Sequence, residues 1–89
     1  MPCVSRFHGI VILMYFREAH HSGRPHFHAR YAEFEATVDI ETLEPIAGCL
    51  PRRAVRLVLT WARLHQEELR LNWEMLRSTG RMLPIAPLP

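Results

Sequence analysis

An α+β fold, with a small antiparallel sheet of meander or hairpin type packed against a long C-terminal helix, is what the patterning of this chain predicts. Three observations carry the prediction. An unbroken apolar run spans Gly9 to Phe16, a strict two-residue alternation runs from His26 to Ile40, and a helical apolar period extends from Val58 to Leu76.

The first run, "GIVILMYF", is short and rich in β-branched and aromatic residues, which favours a central strand covered on both faces over a buried helix. The segment "REAHHSGRP", Arg17 to Pro25, has no apolar period and contains Gly23 and Pro25, so it reads as a loop. Beyond it, Phe27, Ala29 and Tyr31 point one way while His26, His28 and Arg30 point the other. Phe34, Ala36, Val38 and Ile40 repeat the pattern, with Glu35, Thr37 and Asp39 opposite. Two half-buried strands joined by a tight turn at Ala32 and Glu33 form a hairpin. Its outward pairs are then Arg30 with Glu35, His28 with Thr37, and His26 with Asp39.

A turn around Leu43 to Gly48 follows, in which Pro45 and Ile46 are candidates for a short edge strand. Pro51 then occupies a first helical turn, where its missing N–H costs nothing, and Gly80 lies beyond the end. Val58, Trp61, Ala62, His65, Leu69, Trp73 and Leu76 follow the helical period. One straight helix from Pro51 to Arg77 would be roughly 40 Å long, more than a domain of this size accommodates. Either it bends near His65 and Gln66, or its far half projects and needs a partner. In the second case Trp73 and Leu76, with Leu83 and Ile85 of the tail, are partner contacts. Residues 1–78 thus read as one domain and 79–89, ending in "RMLPIAPLP", as a proline-rich apolar tail, extended over its own sheet or another subunit.

Composition sets outer bounds. A chain of 89 residues makes one domain, and at this size folding removes only roughly 60–65% of the unfolded chain's surface from water. With 48% hydrophobic and 22% charged residues it is globular, not disordered. The net charge of +2 does not by itself indicate nucleic acid, although every basic residue is arginine. Cys3 and Cys49 lack metal-ligand spacing and no secretory leader precedes them, so a reduced, cytoplasmic setting is expected. The longest apolar run falls well short of the roughly 20 residues that span a bilayer, so no membrane association is expected.

The blocks "VSRFHGIVILMYF", "PHFHARYAEFEATVDI" and "LPRRAVRLVLTWARLHQEEL", with a following "NW", closely resemble the bacterial domain of unknown function 4160 family over Met1 to about Leu76. The resemblance implies a small protein often encoded beside another short protein, in pairs that look like toxin–antitoxin modules. It brings no catalytic residues. The family's P-H-F-H motif falls on Pro25, His26, Phe27 and His28, and its R-Y-G-E turn on Arg30, Tyr31, Ala32 and Glu33. This chain departs from the pattern in two places: Arg24 stands where a second proline is usual, and Ala32 replaces the turn glycine.

The hairpin's polar face supports one enzymatic hypothesis. His26 opposite Asp39 has the layout of a general base and its orienting carboxylate. With His28 and Arg30 as further catalytic candidates and Arg24 neutralising phosphate, the reaction would be metal-independent RNA cleavage, the RNA supplying its own 2′-OH. The plainer reading is a solvated face, because alternation alone demands polar residues at these positions. His20, His21, His26 and His28 suggest a metal, yet no H-E-x-x-H or C-x-x-C accompanies them, and neither a metal nor another cofactor is assigned. On the helix, Arg56, Arg63, Arg70 and Arg77 recur every seven residues. Glu67 and Glu74 offer i,i+4 partners to Arg63 and Arg70, which leaves Arg52, Arg53 and Arg56 as the more usable nucleic-acid patch. The expected partners are a neighbouring-gene protein, RNA, or a second copy in a homodimer. The readings that remain are an interaction protein, possessing toxin activity or neutralising it, with a ribonuclease-like enzyme and a His-rich metal-binding protein as alternatives.

Overall fold

The computed structural model describes residues 2–17 and 23–89. Strands β1 (Cys3–Phe7), β2 (Ile10–Leu13), β3 (His26–Tyr31), β4 (Phe34–Asp39) and β5 (Pro45–Cys49) precede helices α1 (Arg52–Leu64) and α2 (Gln66–Thr79). The fold is α+β: the strands form one sheet in chain order, every neighbouring pair antiparallel.

Strand β1 has no counterpart in the elements that patterning predicts. It is joined to β2 by His8 and Gly9, whose φ values of 51° and 80° are both left-handed, the backbone that a two-residue hairpin turn requires. The apolar run is accordingly divided: β2 occupies only Ile10–Leu13, and Met14 donates its N–H to the Pro2 carbonyl at 3.0 Å. The β3–β4 register is the one that alternation predicts, pairing Tyr31 with Phe34, Arg30 with Glu35, His28 with Thr37 and His26 with Asp39. Ala32 takes the turn at φ 53°.

The helices cover one face of this sheet. Phe7, Ile10, Ile12, Phe27, Ala29 and Val38 meet Ala54, Val58, Trp61, Leu69, Trp73 and Leu76 in one core. Trp61 is fully buried, its ring 5.3 Å from that of Phe7 and 5.9 Å from that of Phe27. Truncating such a residue typically costs about 3–5 kcal/mol.

The helical region is two helices and not one long C-terminal helix. A straight helix over 52–79 would measure about 42 Å at ~1.5 Å per residue, beyond the molecule's longest extent of 34 Å. The break falls at His65 (φ −122°, ψ 23°), which is neither glycine nor proline. Its cause is tertiary. The Gln66 side-chain amide donates to the main-chain oxygens of Ile40 (2.8 Å) and Glu41 (3.1 Å), while Trp61 and Leu69 on either side are both buried completely.

The tail is knitted into the same body. Buried Asn72 bonds Leu83 twice, donating to its carbonyl at 2.8 Å and accepting its N–H at 2.9 Å. Ile85 donates its N–H to the Val4 carbonyl, and the Trp61 indole N–H donates to the Ala86 carbonyl. The segment thus runs extended along β1 and the helices of its own chain.

Candidate functional site

Alternation along β3 and β4 places His26, His28 and Arg30 beside Asp39, Thr37 and Glu35, as the register requires. Side-chain geometry then separates them. Asp39 is buried, and its Oδ1 accepts the N–H groups of Glu41 (2.7 Å) and Thr42 (2.8 Å), while its Oδ2 accepts Nε of Arg24. Burial by itself would raise the Asp39 pKa; the hydrogen bonds from Thr42, Arg24 and Glu41 outweigh it and hold the carboxyl below its ordinary value. Both oxygens are committed to closing the loop after β4 and to Arg24.

The two members of the expected dyad, though opposite in register, take different hydrogen-bond partners. The Nδ1 of His26 lies 2.8 Å from the Arg24 carbonyl, not on Asp39, and its ring sits 5.1 Å from that of Trp73 at the seam between sheet and α2. A backbone carbonyl fixes the tautomer, with Nδ1 donating, but adds no charge. Arg24, expected on a phosphate, is instead the ion-pair partner of Asp39. His28 has Nδ1 3.3 Å from the Thr37 hydroxyl and 3.5 Å from a Glu35 oxygen, with the Tyr15 ring at 5.2 Å. Arg30 donates Nε to the other Glu35 oxygen at 3.2 Å. The hairpin face is a set of cross-strand partners.

Two of the four histidines considered for a metal, His20 and His21, lie outside the described residues. Among the described residues no group of three or more His, Cys, Asp or Glu is placed to hold a metal ion. His8 meets the main-chain oxygen of Pro89 at 3.0 Å, and His65 meets Glu68 at 2.5 Å.

The break at His65 also divides the arginines. On α2, Arg70 pairs with Glu41 and Glu67, and Arg77 with Glu74. The pairs expected between Arg63 and Glu67 and between Arg70 and Glu74 are not among these. On α1, Arg52, Arg53, Arg56 and Arg63 are exposed and form no ion pair among the described residues.

Of the four residues expected to meet a partner, Trp73, Leu76 and Ile85 are buried at 3%, 3% and 4% exposure, and Leu83 is 56% exposed. The first three belong to the core: once the helical region bends at His65, α2 lies against its own sheet and the tail closes over it. Large apolar side chains face solvent singly at Phe16, Leu64, Leu71 and Leu83, and at Ile46 on the β5 edge of the sheet. All five residues of β5 are exposed. Between β5 and α1 lies an open cleft of about 220 Å³ lined by Ala36, Val38, Pro45, Cys49, Val55 and Leu59, among others. Gly48 permits this strand to close on β4, since a Cβ there would lie 2.2 Å from the Glu35 carbonyl oxygen. Its sequence signal is the uncharged run "PIAGC", of which patterning marks only Pro45 and Ile46 as a short edge.

No helix among the described residues is long and apolar enough to cross a membrane. A family model described as a domain of unknown function (DUF4160) matches residues 9–74. No curated protein and no solved structure matches the chain.

Proposed function

This chain belongs to the DUF4160 family, and from that premise we propose that it is the partner-binding member of a two-gene, toxin–antitoxin-like pair, capturing an extended strand of the neighbouring-gene protein along β5. What supports the reading is one observation: Pro45–Cys49 is an edge strand exposed throughout, without a charged side chain, beside an apolar cleft. The open side of an edge strand offers unpaired N–H and C=O groups, and soluble proteins ordinarily guard it with charges, bulges or covering segments. Here a bulge displaces Ile46 from the ladder but leaves it 43% exposed. A strand added to β5 would satisfy the backbone groups and place alternate side chains in the cleft.

The test is Ile46→Arg, measured by titration against the co-purified neighbouring-gene protein. A guanidinium at the centre of the added-strand interface weakens binding at least tenfold, about 1.4 kcal/mol, with the melting temperature unchanged. Unaltered affinity in a folded variant rejects the edge as the docking site. RNA cleavage by His26, with His28, Arg30 and Asp39, receives less support, because Asp39 is engaged elsewhere. Its own discriminator is His26→Ala: retention of any growth arrest and RNA cleavage seen with wild type excludes histidine catalysis, while their joint loss with partner affinity intact restores it.

A further inference from the structure

The solvent face of α1 is an arginine surface that no ion pair among the described residues explains. Arg52, Arg56 and Arg63 fall within about 40° of one another around a helix of ~3.6 residues per turn, with Arg53 and Thr60 flanking them. Ala54, Val58, Trp61 and Ala62 occupy the opposite, buried face. The helix contains no aspartate or glutamate, and its first turn has neither an acidic residue nor a side-chain cap. Arg52 and Arg56 are like charges four residues apart, Arg53 and Arg56 three apart, and all three stand at the positive end of the helix dipole. Each of these placements opposes folding. On α2 the same residue type is neutralised by Glu41, Glu67 and Glu74. The protein thus has the means to neutralise a helix arginine and does not use it on α1.

We infer that this face of α1 binds the sugar–phosphate backbone of a single-stranded nucleic acid. Arginine offers planar, bidentate donors to phosphate. From Arg52 to Arg63 the stripe extends about 16 Å at ~1.5 Å per residue, which suits a repeating polyanion better than one isolated phosphate. Beside Arg53 a cleft of about 220 Å³ is lined by His8, Tyr31, Pro51, Ala54 and Leu57. It brings an aromatic ring and an imidazole next to the cationic stripe, the combination of backbone contact and base stacking by which single strands are held. An unpaired base can enter such a cleft, whereas a base within a duplex cannot leave its stack without cost. This inference is independent of the edge strand.

The experiment is fluorescence anisotropy on the isolated full chain with end-labelled single-stranded RNA, single-stranded DNA and duplex DNA, and with polyglutamate as an acidic-polypeptide probe. Two charge-matched triple variants are compared with wild type. One is Arg52→Gln/Arg56→Gln/Arg63→Gln; the other is Arg6→Gln/Arg17→Gln/Arg81→Gln, which removes the same charge from exposed positions off the stripe. The expected result is tighter binding of single strands than of duplex or polyglutamate, weakened at least tenfold by the stripe variant and less than threefold by the control. The slope of log K against log salt should shrink by about 0.7 for each phosphate that the stripe variant no longer neutralises. RNA against DNA reports which strand chemistry is preferred. Melting curves confirm that both variants fold, as substitutions of exposed side chains should. Absence of binding by wild type, equal losses in the two variants, or polyglutamate binding as tightly as the single strands each overturns the inference; the last would make the stripe a site for an acidic protein.

Discussion

Ala32 holds a left-handed φ of 53° at the tip of the β3–β4 hairpin, where an L-residue with a Cβ is disfavoured by ~1–2 kcal/mol. Glycine removes that strain but adds ~0.4–1 kcal/mol of unfolded-chain entropy. The balance predicts that Ala32→Gly stabilises the protein by about 0.5–1 kcal/mol, and a thermal melt should rise by several degrees for a domain this small. Asp39 gives a second prediction at this scale. Its carboxyl pKa is depressed by the net effect of its hydrogen bonds against burial, so its stabilisation is complete above the unfolded carboxylate value of ~3.9 and is lost as pH falls through the lower folded value. Asp39→Asn keeps an oxygen for the Glu41 and Thr42 amides but loses the charge. We expect about 1 kcal/mol less stability at neutral pH and a shallower acid limb below pH ~4, read by denaturant titrations across that range. An acid limb identical to wild type would remove Asp39 from the account of stability. The His26–Asp39 pairing was legible as register, because alternation fixes which residues face each other. Which polar atom each side chain chooses was not, because the competing amides of Glu41 and Thr42 belong to a loop without periodicity.

Among the elements, the tail departs furthest from its appearance in the sequence. Ile85 is buried, Asn72 spends both ends of its amide on Leu83, and the Trp61 indole depends on the Ala86 carbonyl. Truncation after Ser78 removes all of these at once, leaving a buried Asn72 unsatisfied at ~1–3 kcal/mol and forfeiting ~2 kcal/mol or more of apolar burial. The truncated chain should therefore lose about 3–5 kcal/mol, visible as a large drop in denaturation midpoint without any partner present. Preservation of the midpoint would return the tail to the role of an interface segment. The same element-scale logic accounts for β1, which short and irregular alternation concealed, and for the break at His65, which the length of the helical stretch offers as one of two outcomes but no glycine or proline announces. Gln66 reaching the main-chain oxygens of Ile40 and Glu41 is a contact over twenty-five residues of chain or more. Local patterning carries no record of it.

In the whole molecule, the two helices treat their arginines differently, and the apolar cleft lies beside the helix whose arginines stay exposed. The arginines of α2 are paired with glutamates, those of α1 form no ion pair among the described residues, and an uncovered, uncharged edge lies along β5 beside α1. The cleft residues Val55 and Leu59 border the arginine stripe on the same helix. Sequence by itself determined the α+β class, the hairpin and its register and the apolar period of the helical region, since each is written in spacings of two or of three to four residues along the chain; membership of the family is carried by whole blocks of sequence. Tertiary structure alone decided that Trp73, Leu76 and Ile85 are buried in the core, that Asp39 serves a loop and Arg24, and that β5 and the outer face of α1 are left exposed. The reason is physical: spacing tells which residues share a face, but only the closing of sheet, helices and tail on one another determines which faces are covered and which polar groups are left to reach outward.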